Sequence, residues 1–271
     1  MENDQPSERP YFKDIEGLFS EFIEFYGGFI VEKLKENNTL ELNADFLFKS
    51  PAMVGELKTF CKDIFSEPED IPRLEELSRN WIKKGLLTES EYIEHILLGK
   101  ELPSLCIWDL IKKASKTVER AIQKANKQIS QTKKTFSQHK AKGLIFLIND
   151  GNYFFSNEGF LAVISNIIGR KFKQAEFDVI IYLTINQATR KDDSELDYNL
   201  WVPIYREESP NPDELQKFVN DLGKKFLTIF LPNKTGEELK DYQQICSAED
   251  TIQELKKHSF IPKNVIFKNK G

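Results

Sequence analysis

The chain has 271 residues, 40% hydrophobic and 30% charged, a globular balance with room for one large domain. Its net charge of −5 excludes a generally cationic surface, and its longest apolar runs, Gly143–Ile148 and Val179–Ile185, are too short to cross a bilayer. Three separated cysteines (Cys61, Cys106, Cys246) and three scattered histidines (His95, His139, His258) form neither a metal-ligand spacing nor the makings of a His-based triad. With no apolar stretch in the first ten residues, the chain is expected to be a reduced, cytoplasmic protein without a membrane partner.

Residues 11–26 read as an amphipathic helix. Phe12, Ile15, Phe19, Phe22, Ile23 and Tyr26 recur at helical spacing, and Gly27-Gly28 stops the run. Phe29–Lys35, Glu41–Phe48 and Ala52–Phe60 read as three strands. The intervening turns, Glu36-Asn37-Asn38 and Ser50-Pro51, are short enough for antiparallel pairing. Residues 61–105 are acidic and carry Pro68, Pro72 and Pro103. Two helices are expected there, one over about Pro72–Lys84 and one from the capping signature Thr88-Glu89-Ser90-Glu91 to Gly99. This segment is expected to be a helical insertion, a hairpin of helices rather than a DNA-reading helix-turn-helix.

A long helix follows over 107–138, its buried seam marked by Val118, Ile122, Ala125, Ile129, Thr132 and Phe136. Gly143–Ile148 is an expected buried strand, ending in the turn Asn149-Asp150-Gly151-Asn152. Then come a helix over Asn157–Ile168, a strand over Asp178–Ile185, an edge strand over Leu200–Tyr205 and a helix over 211–228. A last helix is expected within 235–257. The expected organisation is a core over 1–152, an α/β extension of the same sheet over 153–230, and a polar, partly helical C-terminal region over 231–271. Neither internal repeats nor low-complexity segments appear.

Charge is uneven. Residues 112–142 hold ten Lys and Arg against one acid, Glu119, a net +9 over 31 residues of an acidic protein. A solvated helix face is the ordinary explanation of such a run. Here the acids that normally accompany helical lysines are missing.

The chemistry-bearing pattern lies at residues 43–60. Asp45 interrupts one apolar run, and Glu56-Leu57-Lys58 lies inside the next. Alternation along a strand points Glu56 and Lys58 the same way. A hairpin turning at Ser50-Pro51 sets Asp45 beside Glu56. Two carboxylates and an ammonium in one apolar spot are costly unless a divalent cation relieves their repulsion. The rival, bland reading makes Glu56 and Lys58 an ion pair on a solvent-facing edge strand. Phe46, Phe48, Val54, Leu57 and Phe60 leave little of either strand for solvent.

An Asp in the second strand and Glu-x-Lys in the third, within the order helix, three strands, helix, strand, resemble the PD-(D/E)XK nuclease superfamily over residues 11–150. The fold this implies is α/β, a restriction-endonuclease-like core (helix, three-strand meander, helix, strand) with a helical insertion and additional C-terminal strands and helices. The resemblance implies Mg²⁺ (or Mn²⁺) on Asp45, Glu56 and the backbone carbonyl of Leu57, with Lys58 positioning the attacking water. Gln128 of the long helix and Glu21 of the first helix are the further catalytic candidates it implies. The chain departs from the pattern in having Ala44, not Pro, before Asp45, and in its long insertion after the third strand. The implied activity is phosphodiester hydrolysis, with DNA as the expected substrate and phage defence or restriction as the setting. Lys116, Arg120, Lys124, Lys127, Lys133 and Lys134 are the expected phosphate contacts. Two alternatives stay open: a non-cleaving binding or assembly module of the same fold, and a nuclease active only with a protein partner. A homodimer is also compatible with cutting two strands. The Asn149–Asn152 turn and the aromatics Tyr182, Trp201 and Tyr205 are read as structural. Patterns for a nucleotide-binding loop, a haem site, or a Ser or Cys nucleophile are absent.

Overall fold

The computed structural model describes residues 11–34, 43–62, 68–98, 100–152, 154–190, 197–207, 212–236, 242 and 259–260. Helix α1 spans Ile15–Tyr26, and its Asp14 cap accepts from the Gly17 N–H at 2.8 Å. Gly27, at φ 93°, closes it in the left-handed region, and Gly27 and Gly28 donate back to the Glu24 and Ile23 carbonyls. Strand β1 is only Phe29–Ile30, and the chain then curls into the helical turn α2, Val31–Leu34. The strand expected over Phe29–Lys35 is thus cut short where good helix formers, Glu32, Lys33 and Leu34, take over.

Strands β2 (Phe46–Lys49) and β3 (Ala52–Phe60) form a hairpin through Ser50-Pro51, in the register Lys49↔Ala52 to Phe46↔Gly55. The expected start of β2 at Glu41 and the turn at 36–38 lie outside the described residues. The insertion holds a 3₁₀ turn (Pro68–Asp70), α3 (Ile71–Lys83) and α4 (Glu89–Leu98). Its capping box is made: Glu91 N–H donates to Thr88 Oγ1 at 3.2 Å, and Thr88 N–H to the Glu91 carboxylate at 2.7 Å. The insertion has a small core of its own around Trp81, Leu87 and Cys106.

Helix α5 runs from Ser104 to Thr135, 32 residues, and buries Val118, Ile122, Ala125, Ile129 and Thr132. After it come β4 (Lys142–Asn149), α6 (Asn157–Lys171) and β5 (Val179–Thr184). The short strands β6 (Ala188–Arg190) and β7 (Asp197–Tyr198) precede β8 (Trp201–Tyr205). Helix α7 (Pro212–Lys225) continues through a π-helical segment, Phe226–Phe230, into α8 (Leu231–Thr235). The helix expected to end at 228 therefore runs on through the π-helical segment, and Pro232 falls in the first turn of α8. The helix expected over 235–257 lies almost wholly outside the described residues. Strand β9 (Ser259–Phe260) joins β6 and β7 in a separate ribbon of order β7-β6-β9.

The main sheet is open, six-stranded and mixed, in the order β1-β2-β3-β4-β5-β8. The strands β1, β2 and β3 are antiparallel, β3, β4 and β5 parallel, and β8 antiparallel to β5. Parallel neighbours need crossovers, and α5 and α6 supply them on one face. There Val118, Ile122, Ile129, Phe160 and Ile164 pack on Val54, Ile145, Leu147 and Ile180. On the other face Phe19, Phe22 and Phe226 pack on Phe46 and Phe146, with Phe19–Phe146 and Phe22–Phe226 ring centroids 4.9 and 4.8 Å apart. Both faces of β4 and β5 are covered, which explains their unbroken apolar sequence. The edge strand β8 carries Pro203 opposite Ile181. No helix among the described residues is long and apolar enough to cross a membrane.

Gly143, near the start of β4, permits the tightest backbone approach in this sheet: a Cβ there would lie 2.3 Å from the Glu176 carbonyl oxygen. Gly143→Ala is expected to destabilise the fold by about 1–3 kcal/mol, the typical penalty of overpacking, as measured by denaturant unfolding.

Candidate active site at the β2–β3 hairpin

The hairpin register, carried one step past Phe46↔Gly55, places Asp45 across from Glu56. Asp45 Oδ2 accepts the Leu57 N–H at 2.7 Å. Because the N–H and C=O of one strand residue leave the strand on the same side, the Leu57 carbonyl faces the Asp45 edge too. Glu56 and Lys58, two residues apart, project to the face covered by α5, and Glu56 is 1% exposed. The Lys58 ammonium is ion-paired with Glu56 Oε1 and donates to Gln128 Oε1 at 3.1 Å.

Helix α5 does more than cover this group. Gln128 Nε2 donates to the Asn43 carbonyl at 3.0 Å, which fixes its amide with the oxygen towards Lys58. One turn on, Thr132 Oγ1 accepts the Ala44 N–H at 2.6 Å. From the other side, Val31 N–H donates to the Asp45 carbonyl at 2.8 Å. Asp45 is thereby held by its own backbone and by that of its two predecessors.

Electrostatics follow from burial. The Glu56 carboxyl is pushed up to about 8, first by desolvation and then by the Asp45 charge, with Lys58 opposing. Desolvation also raises Asp45, against the Leu57 N–H and the Lys58 charge. Glu56 Oε2 is buried and has no hydrogen-bond donor. A buried carboxylate oxygen with no donor, facing a second carboxylate, fits a hard divalent cation. Asp45, Glu56 and the Leu57 carbonyl are the oxygens such an ion would take. Among the described residues no three His, Cys, Asp or Glu side chains gather as a ligand group, so such an ion would rest on two carboxylates and backbone or water oxygens.

The structure therefore brings Asp45, Glu56, Leu57, Lys58 and Gln128 together. It does not bring Glu21 to them: that carboxylate is ion-paired with Lys234 of α8. The acid of α1 nearest the group is Glu16, which accepts from Thr59 Oγ1 at 3.1 Å and whose charge helps raise Asp45. Both acids border the apolar stripe of α1, and only the placement of the helix's first turn against the end of β3 separates them. Thr132 and Asn43 were also not legible as site residues. The one signal was a hydroxyl in an otherwise apolar seam.

Of the expected phosphate contacts, Lys116, Arg120, Lys124, Lys127 and Lys134 are exposed on α5. Lys133 is not: it is 7% exposed and its ammonium donates to the Glu176 carbonyl at 2.7 Å, tying α5 to the segment before β5. A buried ammonium so engaged is a structural tether. The Asn149–Asn152 turn is closed by Asn149, whose Nδ2 donates to the Asn152 carbonyl at 3.1 Å and to Tyr182 Oη at 3.2 Å. In the same turn, burial pushes the Asp150 carboxyl up to about 7 while it accepts from the Asn186 N–H. Tyr182 lies fully within the core, and Trp201 and Tyr205 pack against the opposite one.

No family model, no curated protein and no solved structure matches the chain.

The raised Glu56 carboxyl has a consequence for stability. Its folded value lies above the ordinary glutamate value of 4.5, so the stabilisation of its protonated form is complete below about 4.5 and is lost as pH rises through about 8. In metal-free buffer the wild type is expected to lose on the order of 2–4 kcal/mol between pH 5 and 8.5 through this group. Glu56→Gln, neutral throughout, is expected to flatten that decline and to unfold later than the wild type at pH 8.5 in denaturant titrations.

Proposed function

We propose that this chain is a metal-dependent nuclease of the restriction-endonuclease-like, PD-(D/E)XK type, hydrolysing phosphodiester bonds in nucleic acid, with DNA as the expected substrate. One observation carries the reading: half-buried Asp45 and fully buried Glu56 face each other, with a Glu56 oxygen lacking any donor, beside a lysine that Gln128 holds in place. The order of elements supports it: α1, the antiparallel β1–β2–β3 meander, α5, then β4 parallel to β3.

In this mechanism Asp45, Glu56 and the Leu57 carbonyl would hold Mg²⁺ or Mn²⁺. When bound, such an ion would supply Lewis acidity to a phosphate oxygen and to a water. Lys58 would exchange its hydrogen bond to Glu56 for one to the attacking water, orienting it and balancing charge as the new P–O bond forms and the P–O bond to the leaving sugar oxygen breaks, the water's proton passing to solvent and the leaving oxygen taking one up. Gln128 keeps the ammonium in place during that exchange, since its own amide is fixed on Asn43. Glu56 must lose its proton to act as a ligand, so affinity for the ion is expected to rise between pH 6 and 8.5.

A second reading has one observation behind it. Lys58 already neutralises Glu56, a closed pair that a non-cleaving module of the same fold, or an enzyme awaiting a protein partner, would also show.

A cleavage assay separates them: plasmid, linear and single-stranded DNA and RNA, each with Mg²⁺ or Mn²⁺. Asp45→Ala, Glu56→Ala and Lys58→Ala are each expected to lower the rate at least ~10²-fold. Calorimetry of Mg²⁺ binding, run alongside, is expected to show weakening by the first two. A fully active Glu56→Ala protein sinks the mechanism, and a wild type that neither binds ion nor cuts favours the non-cleaving module.

A further inference from the structure

Helix α5 carries only two acids, Asp109 and Glu119, and both are engaged. Asp109 accepts from Trp81 Nε1 at 3.1 Å, and Glu119 is ion-paired with Lys171 at 2.5 Å and bonded by Gln123. Along the exposed side of the helix, Trp108, Lys112, Lys116, Arg120 and Lys124 follow one another at intervals of four, and all five are exposed. The next step of the same row is Gln128, and the one after is Thr132, the two residues that hold the hairpin site.

Residues four apart form a continuous ridge that turns about 40° per step around an α-helix. This ridge starts on the open face with Trp108, 65% exposed, beside Leu105, 60% exposed, and winds over about 30 Å to Gln128, 8% exposed. Its composition changes in the same direction: an aromatic ring, four cations, then the amide that holds Lys58. Among the described residues, no carboxylate lies within 4 Å of Lys112, Lys116, Arg120 or Lys124.

We propose that this ridge is the track for a single-stranded nucleic acid, whose phosphates lie along Lys112, Lys116, Arg120 and Lys124 and one of whose bases stacks on Trp108. The inference rests on the nuclease reading for what happens at the Gln128 end. The binding it describes is independent of cutting. Cations in line match a polyanion. A ring in line with them matches an unpaired base, whose π-face a duplex would hide. Trp108 does not stand singly: Leu105, three residues before it on the same helix, is exposed as well.

Binding is measured by fluorescence anisotropy in EDTA, so that no strand is cut, using labelled oligothymidylate, oligouridylate and a DNA duplex. Trp108→Ala is expected to weaken single-strand binding at least about tenfold and leave duplex binding within about twofold. The triple variant Lys112→Ala, Lys116→Ala, Arg120→Ala is expected to reduce the slope of log affinity against log salt by about 2 on single strands. All four residues are exposed, so thermal unfolding monitored by circular dichroism is expected to match the wild type. Unchanged single-strand affinity in either variant overturns the proposal, as does an equal loss on the duplex for Trp108→Ala. The two readings fail separately. A wild type that cuts while ridge variants bind normally removes the track and keeps the nuclease. Ridge-dependent binding without cutting in either metal keeps the track and removes the nuclease.

Discussion

Two carboxylates facing each other in an apolar setting repel, and strands so loaded would separate if the backbone beneath them were free. The grip of Gln128 and Thr132 on the Asn43 carbonyl and the Ala44 N–H prevents this. One turn of α5 thereby fixes the entry to β2, while the Leu57 N–H fixes the Asp45 carboxylate itself. The cost of the charge pair is local, and the bonds that hold it come from two different elements. Either alone would leave Asp45 at the frayed end of a four-residue strand.

That arrangement depends in turn on α5 being long and rigidly seated. Its apolar seam packs across β3 and β4, and Lys133 and the insertion's Trp81 anchor it near its two ends. A helix seated at so many points cannot shift without disturbing the sheet. The side chains along its site-facing edge inherit that rigidity, which a charged constellation needs if its geometry is to precede the arrival of a ligand.

Much of this was legible in the sequence where a local rule decided the outcome. The period of two in Glu56-Leu57-Lys58 and the short turn at Ser50-Pro51 set which side chains share a face, and β3 spans the residues expected. Gln128 came from the family resemblance, which implies a Gln on this helix, and not from any local rule. What was not legible depended on distant parts of the chain. Lys133 and Lys134 are adjacent and chemically identical, and only the position of Glu176 buries one and not the other. Glu16 and Glu21 flank the same stripe, and the end of β3 and α8 respectively decide their fates. The shortness of β1 reflects a contest between strand pairing and the helical preference of Glu-Lys-Leu that no periodicity resolves.

The two borders of the main sheet bear on how copies of the chain can meet. At one border Pro203 has no N–H to offer, and at the other β1 lasts two residues before coiling into α2. A sheet finished in this way is poorly suited to growing sideways by recruiting a strand from a neighbour. Self-association through the main sheet would thus be left to the surfaces of its covering helices, a geometry that keeps the two hairpin sites of a pair discrete rather than fused into one continuous sheet.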